Sequence, residues 1–203
     1  MITGFGPFPG VTDNPSLGVA WALATEPPAG VRVVARELPV TFAGAPLGVA
    51  AGLAELEGAA SEQVVALLGL GVQPEPSFRL ERRARGRLSG GRADNAGHTA
   101  SAVGVDAGDD LETSFDLEHL AGILRRAGAP AVTLSEDAGG YVCERTYHAL
   151  LACGGERGLP ALFLHVPPVE TLSPTQQAPI VRALVAELAR QSSSSSRGRP
   201  SAD

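Results

Sequence analysis

The sequence predicts an α/β fold: a single-domain, three-layer αβα sandwich around a mostly parallel central sheet. Three observations point there. Strand-like and helix-like segments alternate along the 203 residues, the pattern of a parallel sheet with crossover helices. Val64–Leu70 is a continuous apolar run of strand length, as expected of a central strand covered on both faces. The final helical segment carries Ile180, Val181, Leu184, Val185 and Leu188 at helical spacing, a stripe suited to packing on such a sheet.

Met1–Phe5 begins a strand that runs into the Gly/Pro-rich loop Gly6-Pro7-Phe8-Pro9-Gly10. Asn14-Pro15-Ser16 is a helix start, with Asn14 as N-cap and Pro15 at the first helical position. That helix should bury Leu17, Ala20, Trp21 and Ala24 and stop before Pro27-Pro28. A strand at Val31–Leu38 and a small-residue helix at Pro46–Gly58 follow. Phe78–Arg85 alternates less cleanly and suggests an antiparallel or edge strand. Residues 86–111, polar and rich in Gly, Asp and Asn, suggest a long surface excursion. Then come helix Phe115–Ala127, strand Ala131–Ser135, a Gly139-Gly140 turn, helix Val142–Cys153, strand Pro160–Val166 and helix Pro179–Gln191. Residues 1–190 form the domain, and 191–203, with five consecutive serines, form a disordered tail.

Composition excludes several classes. A net charge of -6 makes a poor nucleic-acid partner. The arginines at 79, 82, 83, 85, 87 and 92 fit a solvated strand and loop better than a polyanion site. No apolar run is long enough to span a bilayer, and the start at Met1 lacks a basic, cleavable leader. A cytoplasmic location is the default. The two cysteines, Cys143 and Cys153, fall on one expected helix and should not pair. Without a CxxC pair or an HExxH run, no metal or organic cofactor is expected.

Cys143 is the residue with chemical promise. It follows a Gly-Gly turn and opens a helix, where unpaired N–H groups and the dipole favour an anion. Such a site should lower the thiol pKa and could also receive the oxyanion of a tetrahedral intermediate. A small buried core residue is the competing account. Cys153 fits the core. A catalytic thiol needs a base, and His165 ends the apolar strand Ala161–Leu164 at the carboxyl edge of the sheet, where α/β proteins place active sites. His148 lies roughly 140° round the helix from Cys143, His98 in the long loop and His119 on a helix surface. Among the acids, Glu81 stands out as a carboxylate flanked by arginines within a strand, unless it is an exposed edge charge. Glu136, Asp137 and Glu144 lie nearer Cys143, where a carboxylate would raise the thiol pKa.

These residues resemble a known family. Gly4-Phe5-Gly6-Pro7-Phe8-Pro9-Gly10 with Asn14-Pro15-Ser16 is similar to the N-terminal signature of pyroglutamyl-peptidase I. Ser135–Cys143 resembles its nucleophile segment, Leu80-Glu81-Arg82 with Ala84 and the pair Asp94-Asn95 its middle motifs, and Phe163–Pro167 its histidine segment. The motifs keep the family's order across nearly the whole chain. Departures also exist. Glu144 stands where the family usually has Asn, Gly140 replaces a Thr, and Gly69–Pro76 differs from the usual turn. Arg92, counted from Glu81, lies one position later than the family's arginine.

The resemblance implies a thiol exopeptidase that removes N-terminal pyroglutamate from peptides through an acyl-enzyme. Cys143 would be the nucleophile, His165 the base and leaving-group acid, and Glu81 the group orienting His165. Phe5 and Phe8 would clasp the lactam ring, with Asn14, Tyr141 and Val142 completing the substrate site and Arg92 near the oxyanion. A homo-oligomer, a tetramer by family analogy, is implied as well. Two other readings stand beside it: a divergent hydrolase of another small acyl amide, and a catalytically silent binding or assembly protein.

Overall fold

The chain alternates β1 (Ile2–Phe5), α1 (Pro15–Thr25), β2 (Ala35–Leu38), α2 (Gly44–Gly58), β3 (Leu67–Val72), β4 (Phe78–Glu81) and β5 (Arg83–Ala84) in its first part. Then come α3 (Ala100–Val103), β6 (Leu111–Glu112), α4 (Leu117–Arg126), β7 (Val132–Ser135), α5 (Val142–Glu156), β8 (Ala161–Val166) and α6 (Pro174–Ser196). The computed structural model describes residues 1–58 and 63–196. Six strands form the main sheet in the order β2-β1-β3-β8-β4-β7, and β5 pairs with β6 in a small second sheet. The α/β expectation holds: every pairing in the main sheet is parallel except β4 with β8.

Strand alternation sorts the core into two layers. Leu68, Leu70, Phe78, Leu80, Leu162, Leu164 and Val166 face a cluster that includes residues of α1, α4 and α6. Leu67, Ala161 and Phe163 face a second cluster with residues of α2 and α5. The α5 side therefore also receives Gly71, Arg79, Glu81 and His165, each two residues from one of these positions or paired across the ladder.

Several sequence expectations need adjustment. Phe78–Glu81 is antiparallel to β8, as one alternative held, but it is not an edge; it lies between β8 and β7. α1 buries Val19, Ala20 and Leu23, while Trp21 is 50% exposed. Ser16 turns the helix: its hydroxyl accepts a hydrogen bond from Phe5 N at 3.1 Å, so the face continuing through Ala20 and Leu23 meets the sheet. Gly4 lets this happen, since a Cβ there would stand 2.7 Å from Leu17 Cα. The strand expected at Val31–Leu38 is confined to Ala35–Leu38, and that at Val64–Leu70 is displaced to Leu67–Val72, in register with Ala161–Val166.

The final helix starts at Pro174 rather than Pro179, and Gln176 N and Gln177 N both donate to Ser173 O. Ser173-Pro174 repeats the polar-residue–proline start seen at Asn14-Pro15. α6 continues through Ser196, past the expected boundary of the tail, and 197–203 lie outside the described residues. The 86–111 excursion is less exposed than its polarity suggests, for Leu88, Ala100 and Val105 enter the second core. Buried Asp94 braces it, accepting hydrogen bonds from Phe42 N, Ala96 N and His98 N, each at 2.9 Å. Burial pushes this carboxyl up, but the three N–H donors outweigh it and the net direction is down.

Candidate active site

His165, the penultimate residue of β8, reaches the α5 side of the sheet, and its neighbours are set by register. Arg79 stands directly opposite it on β4, and Glu81 is opposite Phe163. His165 Nδ1 lies 2.7 Å from Glu81 Oε1, with both side chains buried. Arg79 Nε donates to the same oxygen at 2.7 Å. An ionised carboxylate only accepts, so Nδ1 carries the proton and Nε2 is left as the basic nitrogen. The Arg79 NH2 group, 3.4 Å from Nδ1, is therefore a close charge rather than a donor to that atom. The exposed-edge account of Glu81 is excluded, because the residue is 0% exposed.

Cys143 opens α5 against the same patch of sheet. A Cβ on Gly71 would come within 2.9 Å of Cys143 Sγ and 3.0 Å of the Phe163 ring. Gly71 is the ladder partner of His165, and the Phe163 and His165 rings are 5.0 Å apart. Thiol, imidazole and carboxylate thus gather over the carboxyl ends of β3 and β8. Gly139 and Gly140 deliver the turn with φ of 98° and 61°, values that suit glycine. No side chain caps α5, whose first intrahelical bonds run from Glu144 N and Arg145 N to Tyr141 O. The preceding N–H groups, of Val142 and Cys143, have no intrahelical acceptor among the described residues.

One sequence expectation fails on the thiol. Burial pushes Cys143 up to about 12, with the Glu81 charge adding to it, while Arg92, Arg79 and the backbone N–H of Cys143 pull the other way. Desolvation thus outweighs the helix start, and the resting group is a neutral thiol. The carboxylate charge that raises it is that of Glu81.

The other expected site residues are distributed unevenly. Tyr141 and Phe8 face one another with centroids 6.1 Å apart, and Phe42, not foreseen, packs edge-on against Tyr141 at 5.6 Å. Phe5 and Val142 are buried core residues, 2% and 1% exposed. Asn14 caps α1, accepting from Ser16 N at 3.2 Å, and donates to Gly6 O at 3.1 Å, so its side chain holds the loop to the helix. The Arg92 guanidinium lies over the Phe8 and Tyr141 rings, 5.0 and 4.6 Å from their centroids, and donates to Pro9 O. Its charge reaches Cys143, and its contacts are with the Phe8 and Tyr141 rings and Pro9 O.

His148 bonds Asp109 O and His119 pairs with Glu187, so neither serves the thiol. Cys143 and Cys153 are both free, half-buried and packed against the second core. Among the described residues no group of three or more His, Cys, Asp or Glu is placed to hold a metal ion, and no helix is long and apolar enough to cross a membrane. A cavity of about 410 Å³ lies at the opposite edge of the sheet among Ile2, Val33, Leu56, Leu68 and Leu188.

Sequence reasoning missed Arg79 and the pair Arg85–Glu144. A signal existed for Arg79, since residues two apart on a strand share a face. For the pair there was none, because 59 positions separate its members.

A thiol beside a carboxylate-held imidazole at the carboxyl edge of an α/β sheet is the equipment of a cysteine hydrolase. A model of the Pyroglutamyl peptidase family matches residues 1–179, and the chain belongs to that family. It is 34% identical over 169 residues to a pyrrolidone-carboxylate peptidase of Chromobacterium violaceum, covering 82% of this chain and 76% of that one. A Streptomyces coelicolor protein of the same name is 32% identical over 203 residues, covering 94% and 91%. Among solved structures, the pyroglutamyl peptidase I of Bacillus amyloliquefaciens superposes with a TM-score of 0.79 at 21% identity, covering 94% and 96%. A pyrrolidone carboxyl peptidase from Pyrococcus furiosus gives 0.80 at 22%, covering 94% and 97%. At that identity these two matches speak for the fold.

Proposed function

We propose that this chain is an exopeptidase that hydrolyses the amide bond after an N-terminal pyroglutamyl residue, with Cys143 as nucleophile, His165 as base and Glu81 as the group that orients it. The observation that carries the reading is the buried His165 Nδ1–Glu81 Oε1 hydrogen bond of 2.7 Å beside the Cys143 thiol. Because that thiol is neutral at rest, attack and proton transfer belong together: His165 Nε2 takes the proton as Sγ adds to the pyroglutamyl carbonyl. The oxyanion then meets the N–H groups of Val142 and Cys143. His165 returns the proton to the leaving amine, and water, deprotonated by His165, hydrolyses the thioester.

Recognition falls to apolar walls. Phe8 and Tyr141 offer faces to a neutral five-membered lactam, Phe5 and Val142 back them, and Asn14 holds the loop that carries Phe8. A homo-oligomer working in the cytoplasm completes the proposal by analogy with the family; sedimentation of the purified chain tests the first part.

The direct test is release of arylamine from a pyroglutamyl-arylamide, before and after thiol alkylation. Activity is expected in the wild-type chain and none after Cys143→Ala. Turnover that survives Cys143→Ala would sink the mechanism, and equal turnover of prolyl and pyroglutamyl substrates would point to the broader acyl-amide hydrolase.

A further inference from the structure

The turn that presents Cys143 is built from the two most permissive residues available. Gly139 and Gly140 both sit in the left-handed region, and successive glycines lose more conformational freedom on ordering than any other pair. Such a turn aims a nucleophile well only if something else immobilises its peptide planes.

Two carboxylates do so. Glu144, 0% exposed, reaches back from the first turn of α5 and accepts a hydrogen bond from Gly140 N at 2.7 Å. Asp137 accepts one from Gly139 N at 2.8 Å. A single side chain joins the two carboxylates. Arg85 donates through Nε to Glu144 Oε1 at 3.1 Å and through NH2 to Glu144 Oε2 at 2.7 Å and Asp137 Oδ1 at 2.5 Å. Arg85 N adds a fourth bond, to Glu144 Oε1 at 2.9 Å. The Glu144 hydrogen bond in turn raises the Arg85 pKa further.

From this network we infer that Arg85 and Glu144 are positioning residues that clamp the Gly139-Gly140 turn and so aim the Cys143 thiol and the N–H groups of Val142 and Cys143 at the substrate carbonyl. The clamp turns the glycine N–H groups toward carboxylates, which leaves the N–H groups at the helix start to receive the oxyanion. It also accounts for two departures as one unit. A Cβ on Gly140 would stand 3.4 Å from Arg85 NH2 in a left-handed conformation, and the Glu at 144 is the acceptor that both the glycine and the arginine need. A buried carboxylate one residue from the nucleophile is tolerated because Arg85 neutralises it.

The inference rests on the proposed function, and its test separates the two. Wild-type turnover of a pyroglutamyl-arylamide and its loss in Cys143→Ala judge the function. For the clamp, Arg85→Met is expected to lower kcat about tenfold or more while KM stays within about twofold, since aim is lost and binding is not. Arg85→Lys, which keeps the charge but not the fork, should fall between. If Arg85→Met fails to fold because Glu144 is left unpaired, the double variant Arg85→Met/Glu144→Leu removes both charges and should show the same kcat loss. Wild-type kcat in whichever variant folds, or a loss confined to KM, overturns the inference. Amide exchange at Gly139 and Gly140 without substrate decides it even for a chain that shows no turnover: faster exchange in the variant supports the clamp, and unchanged exchange overturns it.

Discussion

Arg79 and His165 face each other across the antiparallel β4–β8 pair, and both spend a nitrogen on the same atom, Glu81 Oε1, at 2.7 Å each. The other oxygen, Oε2, is buried without a hydrogen-bond partner among the described residues. The hydrogen bond that holds the imidazole therefore rests on one carboxylate oxygen, and Arg79, whose NH2 group lies 3.4 Å from Nδ1, pins that oxygen from beside His165.

Arg79→Met should consequently lower kcat with little change in KM. A charge-assisted hydrogen bond of ~1.5–3 kcal/mol corresponds to a loss of roughly 10- to 100-fold if it is needed in the transition state. Steady-state kinetics on a pyroglutamyl-arylamide check this, and an unchanged kcat would remove Arg79 from the account.

Gly71 makes room for the sulfur. Adding a methyl there places a Cβ 2.9 Å from Cys143 Sγ and 3.0 Å from the Phe163 ring. Gly71→Ala should cost ~1–3 kcal/mol of stability through overpacking and displace the thiol. A lower melting temperature together with slower alkylation of Cys143 is the expected result; a melt and an alkylation rate equal to wild type would contradict it.

The raised thiol pKa has a signature in stability. Cys143 is pushed from 9.0 to about 12 in the folded chain. Between those values the folded state keeps a proton that the unfolded state has released, so stability falls as pH rises through this window. Cys143→Ala lacks that loss. Chemical denaturation of both chains should show the wild type losing ground to the variant above pH 9.0 and parallel behaviour below it.

Arg92 ties the Phe8 loop to Tyr141. Its removal in Arg92→Ala forfeits two cation–π contacts, worth about 1 kcal/mol together at an exposed site. KM should rise roughly fivefold, with a smaller effect on kcat. A fall in kcat at constant KM would instead return Arg92 to the oxyanion role that the resemblance implied.

Features set by local chemistry were legible in the sequence. Asn14-Pro15 marks a helix start because cap and proline act within one turn, and the apolar run before His165 marks a strand because its pattern is contiguous. Features set by partners distant in sequence were not. Nothing in Phe78–Glu81 announces that it is inserted between β8 and β7, and so nothing announced that Glu81 is buried. Trp21 looked like a core residue until Ser16 bound Phe5 N and rotated α1. The thiol was misjudged for a related reason: the helix start is visible in the sequence, but the depth at which it is buried is a tertiary quantity. Arg85 looked like one of a solvated run of arginines and Glu144 like a departure from the family's Asn, and only the fold makes them a pair.

The place of β8 in the sheet has a consequence for how the protein comes into being. This strand enters between β3 and β4, yet it comes last in chain order among the described strands. Until residues 161–166 emerge, both neighbours expose open edges, and the carboxylate of Glu81 has no imidazole to orient. Enzymatic activity should appear together with closure of the sheet, as a report that the whole domain has assembled.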